Sequence, residues 1–181
     1  MQVFTFFAKK KLGQELSNFW EGQVVVDDRI YSNGELAFHG SKYVVISQYT
    51  EDQTRRQTLL DYGKEFEHGG KWGEMSGSEA KKKGGKKGLA LTGKELAIWD
   101  SASEVVQEKI CRHKQATDSA VKKALQETTG MTLVHPAMRC SLEKAKQRKW
   151  EGRVVEDDAG RMTVVGGNRL GAIWMKVRDD S

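Results

Sequence analysis

The chain has 181 residues, of which 38% are hydrophobic and 30% are charged. This length and apolar content predict one domain, residues 1–181, with a buried core. No segment approaches the roughly 18 consecutive apolar residues of a membrane-spanning helix, so no such helix is expected. The net charge of +5 is too small to indicate nucleic-acid binding by itself.

The first part of the chain is expected to be strands followed by helices. Residues 3–8 and 23–31 are rich in β-branched and aromatic side chains, and the acidic residues 27–29 predict a hairpin turn. Residues 33–62 are typical of helix, with a break near residues 47–52. The chain therefore begins with a small sheet and continues into two helices.

A Gly/Lys-rich segment follows, from residue 63 to about residue 90. Its most basic part holds five lysines interleaved with glycines, which predicts a flexible basic loop and not a helix end. These lysines are Lys81, Lys82, Lys83, Lys86 and Lys87. Two interpretations stay open here, a solvated run of charge and a phosphate clamp, but the spacing is not that of a Walker loop.

The remaining chain is expected to be mainly helical. A helix over residues 104–114 would bury an apolar stripe of Val105, Val106, Ile110 and Cys111. Further elements are predicted as a helix at 119–128 capped by Thr117 or Asp118, a strand at 132–134, a helix at 142–147, a hairpin at 153–165 and a helix at 168–178. The last helix would bury Leu170, Ile173, Trp174 and Val177, with Asn168 as its cap.

Cys111 and Cys140 are the only cysteines of the chain. They lack the CxxC or cysteine–histidine spacing of a zinc site, and the four histidines are scattered. Two isolated thiols are typical of a reduced, cytoplasmic protein. We therefore expect a cytoplasmic location and neither a bound metal nor a cofactor.

The best indication of function lies between residues 16 and 42. Glu35 precedes Lys42 by seven residues, a spacing that places both on one face of a helix, about two turns apart. An acid and a base would then stand at the two ends of a small-molecule site. Spacing alone favours a surface pair without a task over such a site.

Several short matches, in the same order along the chain, resemble the NADAR family, also called YbiA-like. They are Leu16-Ser17-Asn18-Phe19, Glu35 with Lys42, Glu79-Ala80-Lys81, Trp99, and Gly167-Asn168-Arg169-Leu170-Gly171 followed by Met175 and Val177-Arg178. The resemblance implies an α+β fold: a compact, helix-rich single domain with a small antiparallel sheet. It also implies an N-glycosidase that acts on ribosyl-phosphate compounds, such as aminopyrimidine ribose-phosphates, or on ADP-ribosyl compounds such as modified guanine.

The resemblance also assigns roles to residues of this chain. Glu35 would be the carboxylate that stabilises the cationic sugar or activates water, and Lys42 would hold a phosphate or the leaving group. Asn18 offers a donor and an acceptor to the substrate, and Trp99 offers a face for stacking. Further substrate contacts are expected from Phe19, His39, Trp150 and Asn168. The alternatives are that Asn18 is a turn or cap residue and that Trp99 is a core residue.

This sequence departs from the family pattern at several positions. Leu36 stands where the family has a histidine, and His39 and Ser41 stand where it has glutamines. His135 aligns with a glutamate at the end of a strand. Gln147 aligns with an aspartate, and a neutral amide cannot act as a carboxylate base. A second acid would then come from Asp157 or Asp158, or catalysis would be weakened.

Three functions follow from these observations. The first is hydrolysis of an N-glycosidic bond in a small-molecule nucleotide or an ADP-ribosylated substrate. The second is a module that binds and sequesters a nucleotide such as ADP-ribose without turnover. The third is nucleic-acid binding through residues 81–87, although no basic sheet with interleaved aromatic residues supports it. A membrane partner is not expected.

Overall fold

A computed structural model describes all residues, 1–181, and the chain divides into two compact units. The first unit combines Met1–Ser17 with Gln115–Ser181, and the second is Asn18–Lys114. Seven α-helices and six short strands make up the chain. The predicted helix-rich α+β class is therefore confirmed.

None of these helices combines the length and the apolar character needed to cross a lipid bilayer.

The second unit begins with a β-hairpin. Its strands, β2 (Glu21–Val26) and β3 (Arg29–Asn33), pair antiparallel, with Val26 opposite Arg29. The two turn residues, Asp27 and Asp28, have φ angles of 48° and 63°, as a two-residue type I′ turn requires. Aspartate tolerates this left-handed region better than most residues, so the predicted hairpin turn is confirmed.

The first helix, α1 (Gly34–Gln48), starts directly at the end of this hairpin. Asn33 caps it, because its side-chain oxygen accepts a hydrogen bond from the Leu36 amide at 2.9 Å. Asn33 also donates to the Met75 carbonyl at 3.1 Å. Gly34 is needed here, because a Cβ atom at this position would lie only 2.9 Å from Asn18 Oδ1. The start of α1 is thus fixed against two other segments.

The segment expected to be a loop contains a helix, α3 (Gly77–Gly84), so that prediction was wrong. The helix α3 follows α2 (Gln53–Lys64). Asp52 caps α2, directly after the break predicted near residues 47–52. Ser76 and Glu79 form a capping box that starts α3. Lysines 81–83 form its last turn, where positive charge interacts favourably with the helix dipole.

The fourth helix, α4 (Gly93–Thr117), begins well before the predicted start. Thr92 and Glu95 exchange hydrogen bonds across its first turn, at 2.7 and 3.2 Å, in the manner of a capping box. Val106 and Ile110 are buried as predicted, but Val105 is 60% exposed, so its assignment to the apolar stripe was wrong. Adjacent helical residues point about 100° apart, and only one of the two valines can face the core.

Aromatic side chains dominate the core of the second unit. Tyr43 and Tyr62 lie with ring centroids 4.7 Å apart, and Phe66 and Trp72 lie 5.0 Å apart. Aliphatic residues from the hairpin, α1, α2 and α4 complete this core, including Val24, Leu36, Ile46, Leu59 and Ile110. The rigid packing of these large rings holds α1 in place.

The first unit pairs β1 (Val3–Thr5) with β4 (Thr132–Val134) in parallel. Its other elements are a 3₁₀ helix (Gln14–Leu16), α5 (Ser119–Glu127), α6 (Leu142–Lys146), the hairpin strands β5 (Arg153–Glu156) and β6 (Met162–Val165), and α7 (Arg169–Asp179). The first strand is shorter than predicted, whereas Asp118 caps α5 as expected. The α7 residues expected to face the core are all buried.

Candidate functional site

The face of α1 that carries Glu35, His39 and Lys42 is buried. These residues are 9%, 9% and 7% exposed, respectively. Glu35 and Lys42 therefore share one side of the helix, as their spacing predicts, and His39 lies between them. Three polar side chains on one buried helix face are unusual, because charged groups are rarely buried unless they are paired.

Glu35 lies in the first turn of α1, where the partial positive charge of the helix N-terminus favours a carboxylate. Its backbone N–H donates to the Asn18 carbonyl at 3.0 Å. The carboxylate oxygen Oε1 lies 3.5 Å from Nε2 of His39, one helical turn further on. Both ring nitrogens of His39 are buried and have no hydrogen-bond partner in the protein.

Lys42 donates a hydrogen bond to the carbonyl of Gly84, the last residue of α3. Its Nζ atom also lies 4.9 Å from the centroid of the Tyr43 ring. Burial lowers the pKa of Lys42 from 10.5 to about 8, and the nearby Glu35 charge partly opposes this shift. The amine is therefore mostly protonated at neutral pH and loses its charge above about pH 8.

The end of α3 covers this face. A Cβ atom on Gly84 would collide with the His39 ring, so the glycine backbone lies directly on the imidazole. The hydroxyl of Tyr62 donates to the neighbouring Lys83 carbonyl at 2.9 Å. Gly84 thus closes the face by close backbone approach, which only glycine permits.

Asn18 is held by Gln107 of α4, a residue that the sequence did not indicate. Asn18 Nδ2 donates to Gln107 Oε1 at 2.8 Å, and Gln107 Nε2 donates back to Asn18 Oδ1 at 3.0 Å. Gln107 is 1% exposed and also donates to the Cys111 sulfur at 3.4 Å. The only sequence signal for it was a polar residue beside the apolar stripe of α4.

Two of the three aromatic residues predicted for the site, Trp99 and Phe19, lie in the second unit. Trp99 is half-buried and packs edge-on against Phe38, with centroids 4.9 Å apart and planes at 67°. Phe38 in turn meets the His39 ring edge-on at 5.6 Å. Phe19 lies against the start of α3, since a Cβ on Gly77 would approach it to 2.7 Å.

The other two predicted contacts, Trp150 and Asn168, belong to the first unit. Asn168 stands at the N-cap position of α7 with φ 43°, but its side chain makes no capping bond, contrary to expectation. Instead, its Nδ2 donates to the Leu133 carbonyl at 2.9 Å and its Oδ1 accepts from the His135 amide at 3.1 Å. The Lys149 ammonium lies 5.5 Å from the Trp150 ring centroid.

The candidates for a second acid also belong to the first unit. Gln147 is exposed at the C-cap of α6. Asp157 and Asp158 lie in the exposed turn between β5 and β6. Hydrogen bonds from Arg161, first from its backbone amide, lower the pKa of the Asp157 carboxyl. Asp157 therefore has a structural task in closing this turn.

No group of three or more histidine, cysteine, aspartate or glutamate side chains is arranged to hold a metal ion. A cavity of about 270 Å³ lies on the hairpin side of the second unit, lined by Gln23, Ile30, Tyr31, Ser32 and His68. It contains none of the predicted site residues, so it is separate from the α1 face.

No family model matches the chain, and no curated protein matches it. Among solved structures, the chain is similar to the NMR structure of the E. coli protein YbiA, with a TM-score of 0.59 and 21% sequence identity. This similarity covers 99% of this chain and 86% of the YbiA chain. The fold implied by the sequence resemblance is thereby confirmed. The chain has a YbiA-like fold.

Proposed function

We propose that the chain is a NADAR-type N-glycosidase that hydrolyses the C–N bond of a ribosyl-phosphate or ADP-ribosyl compound. The YbiA-like fold and the residues that match the family motifs support this assignment. The observation that carries it is the Glu35 carboxylate, which is buried at the start of α1 beside His39 and Lys42.

The chemistry suits a buried carboxylate. Breaking a ribosyl C–N bond builds positive charge on the sugar, and a carboxylate beside the sugar stabilises that charge. The interaction is stronger in a site of low dielectric than in water. Glu35 is 9% exposed, so its charge would act on the sugar with little screening.

Lys42 and Asn18 provide the substrate contacts. The Lys42 ammonium is charged below about pH 8 and would bind a phosphate by a charge-assisted hydrogen bond. The pair with Gln107 uses one N–H and one lone pair of the Asn18 amide. One N–H and one lone pair of Asn18 remain for a ribose hydroxyl or a base.

A direct experiment tests this function. The protein is incubated with NAD, ADP-ribose, ADP-ribosyl-guanosine and aminopyrimidine ribose-phosphates, and products are identified by mass spectrometry. We expect release of free base from at least one compound, and loss of this activity in Glu35→Gln. Glu51→Gln, which changes an exposed glutamate outside the site, is the matched control. Absence of product from every compound would refute hydrolysis.

A second candidate function is sequestration of ADP-ribose or a related nucleotide without turnover. The neutral Gln147 at the family's acidic position favours it, because a site with one carboxylate can bind a substrate that it does not cleave. This function predicts that ADP-ribose raises the melting temperature of the protein while no product forms. The same incubation, run with thermal unfolding, separates the two functions.

A further inference from the structure

An N-glycosidase needs a proton for its leaving group. An amine or a guanine nitrogen is a poor leaving group unless a proton reaches it as the C–N bond breaks. Glu35 cannot stabilise the sugar cation as a carboxylate and supply this proton at the same moment. The position that would carry a second acid in the family holds the amide of Gln147. Another residue near Glu35 must then provide the proton.

His39 is the side chain best placed for this task. Its Nε2 lies 3.5 Å from Glu35 Oε1, one turn along α1. His39 is 9% exposed, and neither of its ring nitrogens makes a hydrogen bond in the protein. Buried nitrogens without a partner are uncommon in folded proteins and require an explanation. A ligand that bonds to the imidazole would supply the missing partner.

We infer that His39 is a catalytic residue that protonates the leaving nitrogen, an inference that rests on the proposed N-glycosidase function. In its protonated form the imidazole faces Glu35 Oε1 with Nε2, as a charge pair across 3.5 Å, and presents the Nδ1 proton to the substrate. Oε1 of the carboxylate faces the imidazole, and Oε2 serves the sugar. One acid–histidine pair on α1 thus performs both tasks.

The bond between C1′ and the leaving nitrogen breaks, its electron pair goes to that nitrogen, and the nitrogen takes the Nδ1 proton of His39. A water molecule forms the new C1′–O bond. The proton that this water loses passes to Glu35, which releases it to solvent after the products leave, and Nδ1 of His39 takes up a proton from solvent. The products are the free base and the ribose compound, and the pair is restored.

Substrate can reach His39 only if Gly84 moves away from the imidazole ring. The helix that carries Gly84, α3, has eight residues, and only Gly77, Ala80 and Gly84 are buried. Opening would break the hydrogen bonds from Lys42 to Gly84 and from Tyr62 to Lys83 and leave the capping box at the start of α3 in place. The Lys42 ammonium now bound to the Gly84 carbonyl would then be available to the substrate phosphate.

Two ribosyl-phosphates with different leaving groups test this role. Cleavage of nicotinamide mononucleotide releases nicotinamide as a neutral base, which needs no proton. Cleavage of an aminopyrimidine ribose-phosphate releases an amine, which needs a proton. In His39→Gln we expect kcat/KM for the aminopyrimidine compound to fall by about 10²- to 10⁴-fold, while that for the mononucleotide changes little. His68→Gln, which alters a largely exposed histidine, should leave both rates unchanged.

Other outcomes would overturn the inference. Equal losses on both substrates, or no loss, would show that His39 is not the acid. A loss confined to the amine substrate in Lys42→Met, with none in His39→Gln, would assign the proton to Lys42. A wild-type protein that cleaves neither compound would remove the proposed function, and the role of His39 with it.

A measurement on the wild-type protein covers the case in which the His39 variant does not fold or the mononucleotide is not a substrate. Ribosyl-phosphates with amines of increasing basicity are compared. A proton supplied by the enzyme makes kcat/KM depend weakly on leaving-group basicity. A steep fall with rising basicity would overturn the inference.

Discussion

Replacement of Lys42 by methionine should make the protein more stable at neutral pH. Burial lowers the pKa of Lys42 from 10.5 to about 8. The unfolded chain therefore binds more protons than the folded chain between about pH 8 and pH 10.5. Over this window the contribution of Lys42 to the free energy of unfolding rises with pH. Below about pH 8 the charged amine destabilises the folded state by a constant amount.

The size of this effect follows from the pKa difference. The interval from about 8 to 10.5 corresponds to about 3 kcal/mol, at about 1.36 kcal/mol for each pH unit. Methionine fills a similar volume and removes the charge, but it also removes the hydrogen bond to Gly84, worth about 1–3 kcal/mol. The expected net gain at pH 7 is therefore about 1 kcal/mol.

Urea unfolding of the wild type and Lys42→Met at pH 7, 8, 9 and 10 measures this gain. The advantage of the variant should shrink above pH 8 and then reverse. Burial raises the pKa values of Tyr31 and Tyr43, so both phenols stay neutral in the two folded proteins up to pH 10 and cancel in the difference. Lys71→Met changes an exposed lysine and should show no such trend. A variant less stable than the wild type at pH 7, or a difference independent of pH, would refute the reasoning.

Three further changes test the arrangement around the site. Gly84→Ala should destabilise the protein by about 1–3 kcal/mol and speed amide exchange in α3, because the new methyl group collides with the imidazole. Gln107→Leu should cost about 1–3 kcal/mol in urea unfolding, since it leaves the Asn18 amide without its partner. Arg55, through its hydrogen bonds, lowers the pKa of Glu95 to about 2, so this pair stabilises the protein above about pH 4.5 and is lost as pH falls toward 2. Glu95→Gln should therefore flatten the acid limb of a plot of unfolding free energy against pH.

Each of these three predictions has an outcome that would contradict it. Gly93→Ala places a methyl group in open space and should be nearly neutral, so equal losses at both glycines would remove the collision argument. A double-mutant cycle of Asn18→Ala with Gln107→Leu that shows no coupling would contradict the amide pair. An unchanged acid limb in Glu95→Gln would show that its ion pair with Arg55 contributes nothing.

Features set by neighbouring residues were predictable from the sequence. The turn at Asp27 and Asp28, the cap of α5 by Asp118 and the buried side of α7 follow from short-range rules, and the structure has all three. The helix α3 was missed although its capping box, Ser76 and Glu79, is visible in the sequence. The dense lysines and glycines that follow the capping box favour a loop, but the local cap is the stronger signal.

The features of the site that were missed depend on distant residues. Gln107 meets Asn18 across 89 positions of the chain, and no local pattern indicates such a pair. The position of Gly84 on the His39 ring likewise depends on how α3 packs against α1. Spacing placed Glu35 and Lys42 on one face but did not reveal that another helix covers it. Tertiary packing alone decides these contacts.

The buried polar face of α1 carries groups that burial disfavours, and the proposed function would use those groups. Lys42 is charged at a cost in stability, and the His39 nitrogens lack hydrogen bonds. Under the proposed function, these groups would stabilise charge that develops on a substrate in a water-poor site. Removal of Lys42 should then raise stability and lower turnover together, a trade-off expected where a site is built at the expense of the fold. A Lys42→Met protein that lost both stability and turnover would instead place Lys42 among the structural residues, as the anchor of α3.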